Sequence, residues 1–392
     1  MFELLLSLSW ADASDSGTAW PELAIEGVEQ SNAQDHAIVV SVEDYAYVPD
    51  IRGANLNASD WQNYFSKLYG IPVSNITWLQ DGEATKEKVQ AAVLSTVNKS
   101  TEEGKVWFVF IGHGAPAKDG KDGMLVLADV QQDPQSLYDR SLSQEWVVKS
   151  LEKGKQAQTL LIVDACFSGQ LEGNKALAEG LQPLIATTDL YEGNTTVLSA
   201  GRHNEFAGPL PGALPYADRP AFSYLTLGGM LGWADSDNDG TVSVKETIDY
   251  SQEALGVTLV GRTQEPQLFG ENGDLILGQG FAQGPDLAEI QRMSKEIAVK
   301  RADLLAKGKD GAPMSIAPQA KYGLSIGGGI VMVGASYYFS ALAKDRAIQE
   351  LNAQEDGEWS DLGEKGRNHL TASIVLTGVG VPILAYGVKS LF

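Results

Sequence analysis

From His36 onward the chain alternates short apolar runs with amphipathic stretches. HAIVVSV (36–42) is continuous and β-branched, which predicts a strand buried on both faces. NASDWQNYFSKLYG (57–70) places Trp61, Phe65 and Leu68 at helical spacing and stops on Gly70. NITWLQ (75–80) reads as a second strand and TKEKVQAAVLSTVNKS (85–100) as an amphipathic helix. VWFVFIG (106–112) is a third strand, and SLSQEWVVKSLEK (141–153) is a helix opened by serine. TLLIVDA (159–165) and TTVLSA (195–200) complete five strands. This alternation predicts a mostly parallel sheet with helices on both faces. Active sites of such sheets collect beyond the carboxyl ends of the strands.

The pattern changes after the fold. Residues 284–310 form a charged amphipathic helix, within a helical linker spanning 284–320. Tyr322–Ala343 then runs 22 residues without a charge, and His369–Val388 another 20. Lys321, Lys344 and Lys389 bound these runs. A spanning helix needs roughly 20 apolar residues, so 321–392 is expected to form a transmembrane helical hairpin. Gly323 and Gly327 stand in the GxxxG spacing that permits close helix approach. Basic residues are balanced on the two sides of the hairpin, so they set no orientation. Residues 1–33 read as a leader. MFELLLSLSWADA has a short apolar run and a small-x-small site, but Glu3 stands where a signal peptide carries a positive charge. If that leader is a signal peptide, the folded domain is periplasmic.

The net charge of −22 argues against a nucleic-acid partner, since phosphate binding needs clustered Lys and Arg. The one cysteine excludes an internal disulfide. That residue, Cys166, closes the fourth strand in TLLIVDACFSG, and His113 closes the third between two glycines. Neighbouring parallel strands would bring both over one crevice. A thiol is mostly protonated at neutral pH, so an imidazole beside it is needed to take its proton and later protonate the leaving amine. Backbone N–H groups near Gly114 and at Cys166 are candidate oxyanion donors, worth about 3–4 kcal/mol each.

Gly112-His113-Gly114 after one strand, and Asp164-Ala165-Cys166-Phe167-Ser168-Gly169 after the next, resemble the caspase-like cysteine peptidases, in their bacterial, metacaspase-like branch. A His about 50 residues before the Cys is the caspase spacing. GANLNASDWQNYFSKLYG upstream, and TVLSAGRHNEFAG and AFSYLTLGGMLGWADSDNDGTVSVKETIDY downstream, extend the likeness over residues 34–283. The resemblance implies a caspase-like three-layer α/β sandwich with a mostly parallel six-stranded sheet, a Cys166–His113 dyad, and a protein or peptide substrate. Caspases proper carry Arg after the Cys, where this chain has Phe167. Metacaspase-like members carry an Asp two residues before the Cys, matched by Asp164, in a pocket for Arg or Lys. Their second pocket acid is replaced by Asn57. Asp164 has two readings: a pocket carboxylate, or a strand-end carboxylate accepting backbone N–H groups. The same dyad also serves acyl transfer to an amine, as in legumain-like transamidases; an inactive membrane scaffold is the third reading.

DSDNDGTVSVKE (235–246) matches an EF-hand loop: Asp235, Asp237 and Asp239 at positions 1, 3 and 5, Gly240 at 6, Thr241 at 7, Ser243 at 9 and Glu246 at 12. Ca²⁺ is therefore the expected cofactor, with a solvated acidic turn as the alternative.

Overall fold

The computed structural model describes residues 20–23, 25, 31–171, 175–178, 193–202, 204–212, 218–280 and 282–309. The chain divides into two compact units, Met1–Leu305 and Ala306–Phe392. The start of the leader and the expected membrane hairpin lie outside the described residues. Among the described residues no helix is long and apolar enough to cross a membrane.

Six strands form the central sheet: β1 (His36–Ser41), β2 (Ile76–Gln80), β3 (Lys105–Ile111), β4 (Gln158–Asp164), β5 (Thr195–Ser199) and β6 (Gln267–Phe269). Their order is β6-β5-β4-β3-β1-β2. All pairs are parallel except β5 with β6. The five parallel strands fall within one or two residues of the boundaries read from the sequence. β6 has only three residues and presents no apolar run long enough to announce itself.

Side-chain alternation divides the core in two. On one face Ile38, Val40, Phe108, Phe110, Leu161 and Val163 pack against α2 (Lys86–Lys99) through Val89 and Val93. The short α3 (Pro134–Arg140) and α4 (Gln144–Leu151) cover the same face. On the other face Ala37, Val39, Trp107, Val109, Leu160 and Ile162 meet Trp61 from α1 (Ala54–Asn63) and Phe65 beyond it. Two more helices, α5 (Ala221–Gly228) and α6 (Val244–Thr258), add Phe222, Leu227, Val244 and Ile248 to this layer. Fully burying one such aromatic or aliphatic side chain contributes roughly 1.5–3 kcal/mol.

Caps set the helix starts. Ser143 accepts from the Trp146 N–H at 3.0 Å to open α4, and Ser243 and Glu246 form a reciprocal capping box on α6. The stretch expected as one helix over 57–70 starts earlier, at Ala54, and passes into a wider π turn at Tyr64–Leu68. That turn delivers Tyr64 and Phe65 into the core together.

The long helix α7 (Leu287–Lys309) begins against the domain. Ile290 is buried with Leu210, Tyr224, Ala254 and Leu255. Gln291 donates its side-chain N–H to the Val257 carbonyl at 2.7 Å.

Candidate active site

β3 and β4 are neighbours in register, with Ile111 opposite Asp164. The residues after these strands therefore leave the sheet at the same edge: Gly112-His113-Gly114 from β3 and Ala165-Cys166 from β4. His113 and Cys166 are both buried, at 7% and 6% exposure. The register thus sets the two residues after neighbouring strands at one edge of the sheet.

His113 is held at several points. Its Nε2 lies 2.7 Å from the Pro49 carbonyl oxygen. A carbonyl only accepts, so Nε2 carries the hydrogen and Nδ1 is the basic nitrogen of the neutral ring. Burial lowers the His113 pKa from its ordinary 6.5, opposed by the Pro49 contact and the charge of Asp50. Burial pushes the Cys166 thiol up to about 11, against hydrogen bonds from the backbone N–H groups of Ala207, Cys166 and Gly114. At neutral pH the resting pair is thiol and imidazole rather than an ion pair.

Those N–H groups matter chemically. Gly114 and Cys166 are the donors expected for an oxyanion hole, and both reach the sulfur. A Cβ at Gly114 would sit 2.8 Å from the Cys166 carbonyl oxygen and 3.0 Å from the Phe167 ring, so only glycine lets this amide approach. Phe167 is buried in the core with Met124 and Leu125.

Ala207 is a donor that sequence reasoning missed. It lies on the segment after β5, held by Arg262, which donates to the Phe206 carbonyl at 3.2 Å and the Pro209 carbonyl at 2.6 Å. Ala207 contributes only backbone, so no side chain marks it. The one usable signal is that β5 is parallel to β4, which carries its following segment to the same edge.

Asp164 points away from solvent. Its Oδ2 accepts from the Ser223 N–H and hydroxyl, both at 2.7 Å. Ser223 lies in the first turn of α5, so the carboxylate faces unpaired helix N–H groups. Burial raises the Asp164 pKa from 3.8 to about 6, opposed by the Ser223 and Phe222 hydrogen bonds and the charge of Arg262. Asn57 joins the same network. Its Nδ2 donates to the Ser223 hydroxyl at 2.7 Å and the Pro220 carbonyl at 2.8 Å. Its Oδ1 accepts from Arg219 Nε at 2.6 Å, and Arg219 is also paired with Asp60. Asp164 and Asn57 are therefore brought together, through Ser223.

A cleft of about 790 Å³ adjoins this region. Glu22, Glu43, Asp44, Asp50 and Asp218 line it, with Arg52 and Arg219 and the aromatic faces of Trp20 and Tyr224. His113, Cys166 and Asp164 are not in its lining; Asp50, next to Pro49 in sequence, lines it and also acts on His113 by its charge. Trp20 anchors one wall, donating its indole N–H to the Pro211 carbonyl at 2.8 Å.

The acidic loop lies between α5 and α6. Asp235, Asp237 and Asp239 each offer a carboxylate oxygen within 4.8 Å of the others. Asp235 accepts from the Asp239 and Gly240 N–H groups at 3.1 and 3.0 Å. Thr241–Ser243 pairs antiparallel with Ile276–Gln279, matching Val242 to Gly278. The loop thus pairs with a strand of its own domain. Glu246 reaches across it, accepting from the Ser236 hydroxyl at 3.1 Å and the Ser243 hydroxyl at 2.8 Å.

A structural-genomics protein of Geobacter sulfurreducens is 14% identical, with a TM-score of 0.43, over 63% of this chain and 95% of that one. Caspase-1 of Spodoptera frugiperda is 13% identical, with a TM-score of 0.41, over 65% and 93% of the respective chains. No curated protein matches. The assignment rests on the model of the caspase domain, which matches residues 34–294, about two thirds of the chain. By that match and the six-stranded fold, this chain belongs to the caspase family and carries a caspase-like cysteine peptidase domain.

Proposed function

We propose that the protein is a cysteine endopeptidase, tethered to a membrane by its two C-terminal charge-free runs, with Cys166 as nucleophile and His113 as acid–base. The observation that carries this reading is the placement of both residues at the ends of adjacent parallel strands, with the Gly114 and Cys166 N–H groups on the sulfur. In the proposed reaction the thiol attacks the scissile carbonyl as His113 Nδ1 takes its proton. The two N–H groups hold the resulting oxyanion. Collapse breaks the C–N bond, His113 gives the proton to the leaving amine, and water then hydrolyses the thioester. Transamidation differs only in the acceptor, and mass spectrometry of products formed with added amine distinguishes the two.

The preferred substrate carries Arg or Lys before the cut. The support is the acidic cleft, whose lining includes Asp50, a residue whose charge also acts on His113. Asp44 is raised in pKa by burial first, then by the charges of Asp81, Asp50 and Glu43. Carboxylates held together against their repulsion favour a guest cation. A positional peptide library on the full chain is expected to select Arg or Lys at that position. The preference should weaken at about 1 M salt, where exposed charges are screened within roughly 3 Å. Selection of Asp would overturn this preference.

The loop at 235–246 is proposed to bind Ca²⁺ through Asp235, Asp237, Asp239, Thr241, Ser243 and Glu246. All are oxygen donors, as a hard cation requires. Ca²⁺ would stabilise the domain by about 2.7 kcal/mol at 100 times its Kd. For a domain of this size that raises Tm by roughly 5–10 °C. The loop joins α6 to the segment after α5, and α5 binds Asp164, so peptidase rate is expected to rise with Ca²⁺ as well. The measurement is Tm and rate across a Ca²⁺ titration. Asp235→Ala should remove both responses; a wild type unresponsive up to about 10 mM is an acidic turn only.

A further inference from the structure

We propose that Tyr45 is a positioning residue for His113, holding both the backbone and the ring of the acid–base. This rests on the peptidase reading above and adds a residue to it.

Tyr45 lies on the segment between β1 and α1 and is buried. Its hydroxyl accepts the His113 backbone N–H at 2.8 Å and donates to the Val126 carbonyl at 3.0 Å. The Val126 N–H in turn donates to the His113 carbonyl at 2.9 Å. One phenol therefore ties His113 to Val126, the residue just after the strand Gly123–Leu125. The Tyr45 ring also packs on the imidazole, with centroids 4.9 Å apart and planes inclined by 45°. Gly112 makes room for this contact: a Cβ there would lie 2.8 Å from the Tyr45 hydroxyl.

The segment carrying Tyr45 is itself anchored. The Glu43 and Asp44 N–H groups donate to Asp81 Oδ1 at 2.8 and 3.0 Å. The Tyr45 N–H donates to Asp50 Oδ1 at 3.2 Å, and the Ala46 N–H to the Ala128 carbonyl at 3.2 Å. The same segment presents the Pro49 carbonyl to His113 Nε2. A single braced loop thus touches the histidine at its backbone, its ring face and its distal nitrogen.

General acid catalysis depends on this placement. The imidazolium must hand its proton to the leaving nitrogen within hydrogen-bond reach, and small misplacements cost large factors. Phenylalanine at position 45 keeps the ring but leaves the buried His113 N–H without its acceptor. His113 then shifts, and the step that needs its proton suffers most.

The test compares wild type and Tyr45→Phe as full chains, under single-turnover conditions, on a p-nitroanilide and a p-nitrophenyl ester of one peptide. The anilide nitrogen must be protonated to leave, whereas p-nitrophenolate leaves unprotonated. Anilide acylation is expected to fall roughly 10- to 100-fold, and ester acylation only a few-fold. Because the ratio of the two rates does not depend on how much protein is folded, a partly folded variant still decides the matter. Gly112→Ala, which drives a methyl group against the Tyr45 hydroxyl, should change the ratio in the same direction. Losses on both substrates no larger than the fall in folded protein, read by thermal melting of the same samples, would overturn the positioning role. Cleavage of the anilide by Cys166→Ala would instead overturn the peptidase reading, a separate result.

Discussion

Cys166→Ala and His113→Ala are each expected to reduce peptide cleavage by at least about 10³-fold, with the double variant no worse than either single one. In the proposed mechanism the two groups act in one proton transfer. In the neutral resting pair, the thiol holds its proton because burial raises its pKa to about 11, and the imidazole is neutral because burial lowers its own. Nucleophilic attack and proton transfer are therefore coupled, and removing either partner removes the step. Below pH 6.5 wild-type activity should hold until the lowered His113 pKa is reached, then fall as the ring protonates and can no longer accept. Alkylation of Cys166 by iodoacetamide should be slow at pH 7 and accelerate toward pH 11. Folding is expected to survive both changes. Alanine in place of a buried cysteine removes one sulfur atom, and loss of the His113–Pro49 hydrogen bond costs about 1 kcal/mol. The measurements are turnover of a fluorogenic peptide and thermal melting on the same samples. Normal cleavage by Cys166→Ala would remove the catalytic assignment.

The placement of His113 and Cys166 at one sheet edge was legible because both follow long buried strands. β1, β3 and β4 are buried almost throughout and carry unmistakable apolar runs. Strand order then brings their ends together, and the parallel-sheet rule supplies the crevice. The supporting groups had no such mark. Pro49 and Ala207 act through backbone atoms, and Tyr45 sits in a loop where an aromatic residue carries no pattern. Their roles depend on long-range contacts such as Tyr45 with Val126, which local periodicity does not encode. α3 has seven residues and β6 three, too few for a period to emerge. Asn57 is the instructive case. Its family position pointed to a pocket, and the fold makes it the hub linking Arg219, Ser223 and the Pro220 carbonyl. An amide suits that place because it both donates and accepts, which a carboxylate at neutral pH does not.

Asp164 carries the second large prediction, because its two readings have different consequences. The carboxyl is buried, and its pKa rises from 3.8 to about 6 despite the Ser223 and Phe222 hydrogen bonds and the charge of Arg262. A carboxyl with a raised folded pKa binds its proton more tightly in the folded than in the unfolded state. Its contribution to stability is therefore fullest below 3.8 and is lost as pH rises through about 6. Ionising it in the fold corresponds to roughly 3 kcal/mol. Asparagine keeps an oxygen for the Ser223 N–H and has no proton to lose. Relative to wild type, Asp164→Asn should thus gain stability progressively between about pH 4 and pH 6, by several degrees in Tm at pH 7. Asp164→Ala leaves the Ser223 N–H without an acceptor and should lose about 1–3 kcal/mol at acid pH, where the wild-type carboxyl is neutral. Other carboxyls titrate in the same window, so the readout is the difference between the wild-type and Asp164→Asn curves, in which their contributions cancel. Parallel curves would mean that Asp164 titrates normally and is not isolated from water. The same variants decide the specificity question. If the carboxylate also recognises the substrate cation, Asp164→Asn loses preference for Arg or Lys by roughly 10- to 100-fold. If Asp164 serves α5 alone, the variant gains stability at neutral pH and keeps that preference, which then belongs to Glu43, Asp44 and Asp50 in the neighbouring cleft.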